Sequence, residues 1–281
     1  MPRERFYMIE KQEQRHILFD ESLGLEAYQL TGVVQKFPNH FHEFYVIGFI
    51  EGGKRHLWCK GKEYDTTSGD LILFNPYDNH FCAPVNHELL DYRAVNIPIE
   101  CMKKAAKDIT GKEYQPEFIC NVVPQSELAN YVATLYDAIV NHACYMERQE
   151  AFYLLLEGIL REDARDFNET PSQPKPLDHL CTYMKDHFMD NISLDELADM
   201  AAMSRSYLLR NFTKQYGISP YRYLQSIRIE KAKQLLEEQV PLIEIADMCG
   251  FSDQSHFSNY FKEFIGVTPK QYQRIFQESE G

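Results

Sequence analysis

The sequence predicts an α+β chain of two domains: an N-terminal antiparallel β-barrel with helices after it, and a C-terminal all-α domain. That second domain is expected to hold two helix-turn-helix units joined by a long helix. Three observations support this. Short extended runs broken by turn residues fill 35–97, a proline-rich stretch follows at 167–176, and the last hundred residues contain an internal repeat.

The barrel rests on closely spaced strand signals. Residues 45–50 are followed by Glu51-Gly52-Gly53, residues 55–59 by Lys60-Gly61-Lys62, and residues 71–74 by Asn75-Pro76. Short runs with Gly, Asn and Pro punctuation indicate a small antiparallel barrel or sandwich. Between 125 and 165 the period becomes helical: Leu128, Val132, Leu135 and Ile139 recur at steps of three and four, as do Phe152, Leu155, Leu156 and Ile159. These faces need an apolar partner, either the barrel or a second subunit. The segment FNETPSQPKP then has three prolines and no periodic apolar residue, which makes 167–176 a linker between domains 1–166 and 177–281.

In the tail, Leu194, Glu196, Ala198, Asp199, Met200 and Ser204 reappear as Leu242, Glu244, Ala246, Asp247, Met248 and Ser252, at an offset of 48. After a one-residue shift, Phe212, Gly217, Pro220 and Tyr223 reappear as Phe261, Gly266, Pro269 and Tyr272. Each copy is read as a short helix, a tight turn (201–203 and 249–251), a Ser N-cap and a second amphipathic helix, which is the helix-turn-helix pattern. Ser193 with Glu196 forms a capping box, Gly217 is a C-terminal stop, and Ser219-Pro220 and Thr268-Pro269 place a capping hydroxyl before proline. The helix over 221–237 spaces the two units so that their second helices can enter successive major grooves, about 34 Å apart.

Bulk properties constrain function. The 281 residues are 44% hydrophobic and 25% charged, as in an ordinary globular protein, and no apolar run spans a bilayer. The first eleven residues lack the apolar stretch of a secretory signal, so a cytoplasmic location is expected. Seven scattered cysteines form no C-x-x-C pair and are expected to be reduced. The net charge of -13 argues against nucleic acid, and from 177 on acidic residues still outnumber basic ones, 15 to 11. Yet Arg205, Arg210, Lys214, Arg222, Arg228, Lys231 and Lys233 cluster around the single acid Glu230.

The tail resembles the DNA-binding domain of the AraC/XylS family of transcription regulators. The resemblance is carried by ISLDELADMAAMSRSYLLRNFTKQYGISPYRYLQSIRIEKAKQLL and IEIADMCGFSDQSHFSNYFKEFIGVTPKQYQ, about a hundred positions. It implies that one monomer contacts double-stranded promoter DNA at two adjacent major grooves, with a small-molecule effector and, for an activator, RNA polymerase as further partners. A homodimer is expected from the apolar helical faces after the barrel and the coupling of a sensor domain to DNA through subunit arrangement. By position, the first recognition face is Arg205, Ser206, Leu209 and Arg210. The second is Gln254, Ser255, His256 and Asn259, with Lys262 on phosphate. Arg210 suits guanine, Gln254 and Asn259 suit adenine, and Leu209 reaches at most a thymine methyl or sugar. Leu208, Phe212, Phe257 and Phe261 are expected in the core.

The N-terminal half resembles the cupin-like sensor domain that precedes such tails. Effector-pocket candidates are His40, His42, Trp58 and His80, with Tyr45 as a further aromatic wall. His40 and His42 share a strand face, and with His80 they could hold zinc, iron or nickel as a divalent metal cofactor. The metal-cupin pattern wants a carboxylate where this chain has Val46, and Glu43 is one residue out of phase. The alternative to a regulator is a metal-dependent cupin enzyme fused to a DNA-binding domain. No phosphate loop, G-x-S-x-G elbow or paired nucleophile supplies other catalytic parts.

Overall fold

The computed structural model describes residues 13–166 and 176–277. The expected linker therefore falls outside the described residues, except for Pro176.

The N-terminal half is a β-barrel of two antiparallel sheets. One has strand order β1 (Gln14–Asp20), β2 (Leu25–Val33), β9 (Leu90–Ile97), β4 (Tyr45–Gly52), β7 (Leu71–Phe74) and β11 (Val122–Val123). The other runs β3 (Phe37–His40), β8 (His80–Pro84), β5 (Arg55–Cys59) and β6 (Lys62–Thr66). The barrel thus begins some twenty residues before the point the turn signals marked. β1 and β2 pair in unbroken register from Gln14↔Thr31 to Asp20↔Leu25.

Strand alternation separates two cores. On β4, Val46 and Ile50 point into the barrel with Leu30, Val33, Leu57, Ile72, Phe74 and Leu90. Tyr45, Ile47 and Phe49 point out, onto helices α1 (Ile99–Thr110), α2 (Leu128–Val140) and α3 (Tyr145–Glu162). The apolar faces read at 128–139 and 152–159 are therefore covered by the barrel's own sheet. They leave Tyr131, Met146 and Leu154 on the outer side. Helix α1 was not foreseen. A small ladder of β10 (Pro116–Phe118) and β12 (Ala164–Asp166) closes this half.

The C-terminal half is all helix. It consists of α4 (Asp178–Asp186), α5 (Leu194–Met200), α6 (Arg205–Tyr216), α7 (Pro220–Glu237), α8 (Leu242–Met248), α9 (Gln254–Ile265) and α10 (Pro269–Ile275). The caps follow the sequence at Ser193, Ser204, Ser219 and Thr268, each of whose side chains accepts a backbone N–H of the first turn. One expectation is corrected: α9 is capped by Asp253, which accepts from His256 N, and not by Ser252. The residue inserted between the repeats falls in this second turn. Ser252 therefore matches Ser204 in sequence while Asp253 takes over its role. The left-handed turn residues Ala202 and Gly250 are equivalent, as are the left-handed C-caps Gly217 and Gly266. Leu208, Phe212, Phe257 and Phe261 are fully buried, as expected.

Candidate nucleic-acid interface and barrel cavity

Helices α6 and α9 present their N-terminal halves outward. Arg205, Ser206, Leu209 and Arg210 on the first are exposed, as are Gln254, Ser255, Asn259 and Lys262 on the second, whereas His256 is half-buried. Arg205 is paired with Asp195 of α5, which orients it. The His256 ring meets Ser252 Oγ at 3.1 Å and the edge of Tyr260. Tyr207, half-exposed beside Arg210, was not singled out from the sequence, although a polar-tipped aromatic at an exposed helical position is a usable signal.

The basic cluster needs correction. Arg228 is buried and donates to the carbonyls of Phe188 and Asp190, and Lys233 is buried against the barrel. Arg222 pairs with Glu263 at 3.2 Å. Positive charge on the outward side is therefore carried chiefly by Arg210 and Lys214 on the first unit and Lys262 on the second, Arg205 being offset by Asp195.

The opposite, C-terminal ends of α6 and α9 dock on the barrel at equivalent points. Asn39 Nδ2 donates to Gly217 O at 2.7 Å, and Arg15 Nη1 donates to Gly266 O. Glycine suits both caps for its left-handed φ, and at Gly217 it is needed for room as well. A Cβ on Gly217 would lie 2.7 Å from the Trp58 ring, and one on Gly266 would lie 2.5 Å from the Arg15 guanidinium. Trp58 is thereby removed from the expected pocket. It follows Leu57 on β5, so alternation turns it outward, where it meets Gly217 instead. Tyr45 is likewise out of the cavity; it lies on the helix side of β4 and donates to Pro116 O at 2.6 Å.

The barrel interior holds a cavity of about 130 Å³, lined mainly by apolar side chains such as Leu30, Val46, Ile50, Ile72 and Phe74. Its polar lining includes His40, His42, His80, Arg55, Asn96 and Lys233. Part of its wall comes from the helical domain: Lys233 of α7 and Phe264 and Ile265 of α9. His40 stacks edge-on against Phe264, and His80 lies flat on Phe74. Three expected pocket residues, His40, His42 and His80, are thus together, with one ring nitrogen from each within 4.8 Å of the others. His40 Nδ1 meets Pro38 O at 2.6 Å, His80 Nδ1 meets Asp78 O at 2.9 Å, and His42 Nδ1 meets Glu230 Oε1 of α7 at 3.3 Å. Burial drives all three imidazoles toward the neutral form, His42 and His80 down to about 3. Burial also pushes the Glu230 carboxyl up to about 7.

Beside them lies a buried charge network that the sequence reading did not foresee. Lys233 Nζ sits 3.2 Å from Glu26 Oε2 of β2, and Glu26 also accepts from Asn96 and Tyr272. Burial acts to raise the Glu26 pKa, but Lys233 and the two donors outweigh it, so the carboxyl lies below its ordinary range. The network was hidden because α7 is buried on nearly every side and its charged residues show no polar face.

Comparison with known proteins gives these features their context. Residues 22–162 match the AraC-like ligand binding domain, and residues 197–275 match the helix-turn-helix domain. The HTH-type transcriptional regulator YbfI of Bacillus subtilis is 42% identical over 247 residues, which are 87% of this chain and 90% of that protein. The chain belongs to the AraC family of transcription regulators. The HTH-type transcriptional activator RhaS of Escherichia coli is 26% identical over 241 residues, covering 83% of this chain and 86% of its own. In structure, unsaturated fatty acid-bound ToxT from Vibrio cholerae aligns over 97% of this chain and 98% of its own, at a TM-score of 0.51 and 16% identity, which shows a shared fold. This AraC-family chain is a DNA-binding transcription regulator with an N-terminal ligand-binding domain. The rival assignment, a cupin enzyme, has no support among these relatives, which are named as regulators.

Proposed function

We propose that the regulator binds a small, largely apolar effector inside the barrel, and that occupancy alters how the helix-turn-helix domain is docked. The observation that carries this is the composition of the cavity wall. Phe264, Ile265 and Lys233 belong to the DNA-binding domain, so a molecule in the barrel touches both domains at once. A ligand shifts such an equilibrium only by its differential affinity for the two arrangements, and contacts from both domains supply that difference. The size is close to an engineered apolar cavity of about 150 Å³ that admits benzene. A single ring or a short branched chain fits. An unsaturated fatty acid of the kind bound to ToxT would have to displace Phe264 and Ile265.

The exposed faces of α6 and α9 support reading of adjacent major grooves through Arg205, Ser206, Leu209, Arg210, Gln254, Ser255, His256, Asn259 and Lys262. The name of RhaS supports an activator that contacts RNA polymerase. Among the described residues no helix is long and apolar enough to cross a membrane, and a cytoplasmic site of action is part of this reading. A homodimer would use the outer side of α2 and α3, around Tyr131 and Leu154. The decisive experiment titrates full-length protein with single-ring compounds, reading thermal stability and then affinity for its promoter fragment. A ligand at a hundred times its Kd adds about 2.7 kcal/mol of stability. A compound that stabilises the chain yet leaves DNA affinity and transcription unchanged would defeat the proposal.

A second reading is favoured by the three histidines. Metal ligands at about 2.0–2.1 Å stand roughly 3.3 Å from one another, so rotations of about an ångström would bring these nitrogens onto one divalent ion. Neutral imidazoles with Nδ1 held by Pro38 O and Asp78 O fit zinc, nickel or iron, because a ligating histidine usually donates its other N–H outward. Cobalt titration checks it. A d–d absorption band that His80→Ala removes is expected, and a featureless spectrum refutes the metal.

A further inference from the structure

Arg55 occupies an unusual position for a cation. It opens β5, is fully buried, and lines the apolar cavity. Nη2 donates to Val33 O, and Nη1 donates to Gln35 O at 3.1 Å. Nε has no hydrogen-bond partner. Among the described residues its charge is uncompensated as well: the group nearest in electrostatic effect is the Cys82 thiol, which burial pushes up to about 11 and so keeps protonated. Burial accordingly lowers the Arg55 pKa, though a guanidinium remains charged at any physiological pH. An unpaired ion in an apolar interior is strongly disfavoured, and a guanidinium offers five donors of which the described residues use two. The opposite end of the cavity offers no such demand, because Lys233 already has Glu26.

Position adds to the argument. β5 pairs with β8 so that Cys59 faces His80 while Arg55 faces Pro84. Arg55 thus lies four residues along the strand from the histidine end, about 13 Å at the usual rise. The interior is therefore polarised, with neutral histidines under the helical domain, an apolar middle, and one buried cation at the far end.

We propose that Arg55 is the anchor for an oxyanion, so that the effector is a small acid: a carboxylate on a compact apolar body, its carboxylate on the Arg55 guanidinium. The proposal deepens the cavity reading above and rests on it. It also gives the signal a route. The carbonyl that Arg55 holds belongs to Gln35, whose side chain accepts from Arg15 at 2.8 Å and donates to Glu263 O of α9 at 3.0 Å. A carboxylate that draws the guanidinium away from Gln35 O loosens the segment gripping the end of α9. The acid is thereby read out at the second helix-turn-helix unit.

The test uses the full chain and matched pairs of probes that differ in charge alone: benzoate with benzamide, phenylacetate with phenylacetamide, and hexanoate with hexanamide. Calorimetry should show at least one acid binding ten-fold or more tighter than its amide. Arg55→Met should erase that preference, and Arg55→Lys should keep part of it. Should Arg55→Met fail to fold, the acid-to-amide ratio in the wild type and in Arg55→Lys still decides. Amides that bind as well as acids, or an acid preference that survives Arg55→Met, overturn the anchor while leaving an apolar effector intact. If neither member of any pair binds, the cavity reading falls with it. A Gln35→Ala chain that binds the acid normally but no longer couples it to DNA affinity is expected; unchanged coupling removes the Gln35 route.

Discussion

The two helix-turn-helix units descend from one repeated pattern, yet the barrel holds them unequally. Each hydrophobic cluster takes in one barrel residue, Phe41 for the first unit and Ile17 for the second. Each recognition helix is also gripped at its glycine C-cap. Beyond that the first unit gains little more than the ring of Trp58 against Gly217 and Lys185 over Tyr77. The second also receives Gln35 on Glu263 O, Tyr28 on Ile265 O at 3.2 Å, Phe19 on Phe276, and the buried Glu26–Lys233–Tyr272 network. It closes the cavity as well. Sequence symmetry therefore does not imply mechanical symmetry. A ligand-driven change should reach α9 first and α6 through the α7 spacer.

The most disruptive way to break this asymmetry is Lys233→Met. It strands Glu26 beside Glu230 in a buried site, and removing one partner of a buried pair typically costs about 3–5 kcal/mol. Chemical denaturation should show a loss of that size, with much of it recovered in the Glu26→Gln/Lys233→Met double variant. Additive losses would mean the pair is not coupled. Next come Phe41→Ala and Ile17→Ala, each expected to cost about 2–5 kcal/mol as buried large-to-small changes. Hydrogen exchange should separate them. Ile17→Ala should speed exchange in α8 and α9, and Phe41→Ala in α5 and α6. Equal effects on both units would erase the comparison.

The parts that were legible in the sequence are those governed by local rules. Helix caps, the repeat, the turn glycines and the alternation of β4 are set by neighbours within a few residues, so Ser193, Gly217 and Val46 could be placed directly. Trp58 was misassigned because aromatic character suggested a pocket wall, whereas the strand phase that puts Leu57 inside turns it away; Tyr45 went to the core, the commoner use of a buried aromatic. Arg228 and Lys233 were counted in the basic cluster, and their burial could not be foreseen because burial of a cation is decided by partners distant in the chain. For Lys233 that partner is Glu26, 207 residues away. Arg55 carried no signal at all, being an ordinary strand-starting cation until the carbonyls of Val33 and Gln35 enclose it.

On the outward side the units differ again, and smaller effects follow. Arg210→Ala should weaken promoter binding by about 1–3 kcal/mol in a gel-shift titration, with thermal stability unchanged, since a bidentate arginine is the strongest candidate for direct readout. The second unit has no exposed arginine on the equivalent face and relies on Gln254 and Asn259. Single changes there should shift base preference more than overall affinity. The smallest effect concerns the caps. Ser204→Ala and Asp253→Ala each remove one acceptor from a recognition helix and should cost about 1 kcal/mol. They should differ in salt dependence. Asp253 is an ionised cap whose carboxyl is held below its ordinary range chiefly by the His256 N–H, and on the proposed DNA-facing side that charge would repel phosphate. Its removal should destabilise the fold while partly relieving repulsion on DNA, whereas Ser204→Ala should weaken both. If the two variants lose stability and DNA affinity in the same proportion, the inserted residue that moved the cap from Ser252 to Asp253 has no electrostatic consequence.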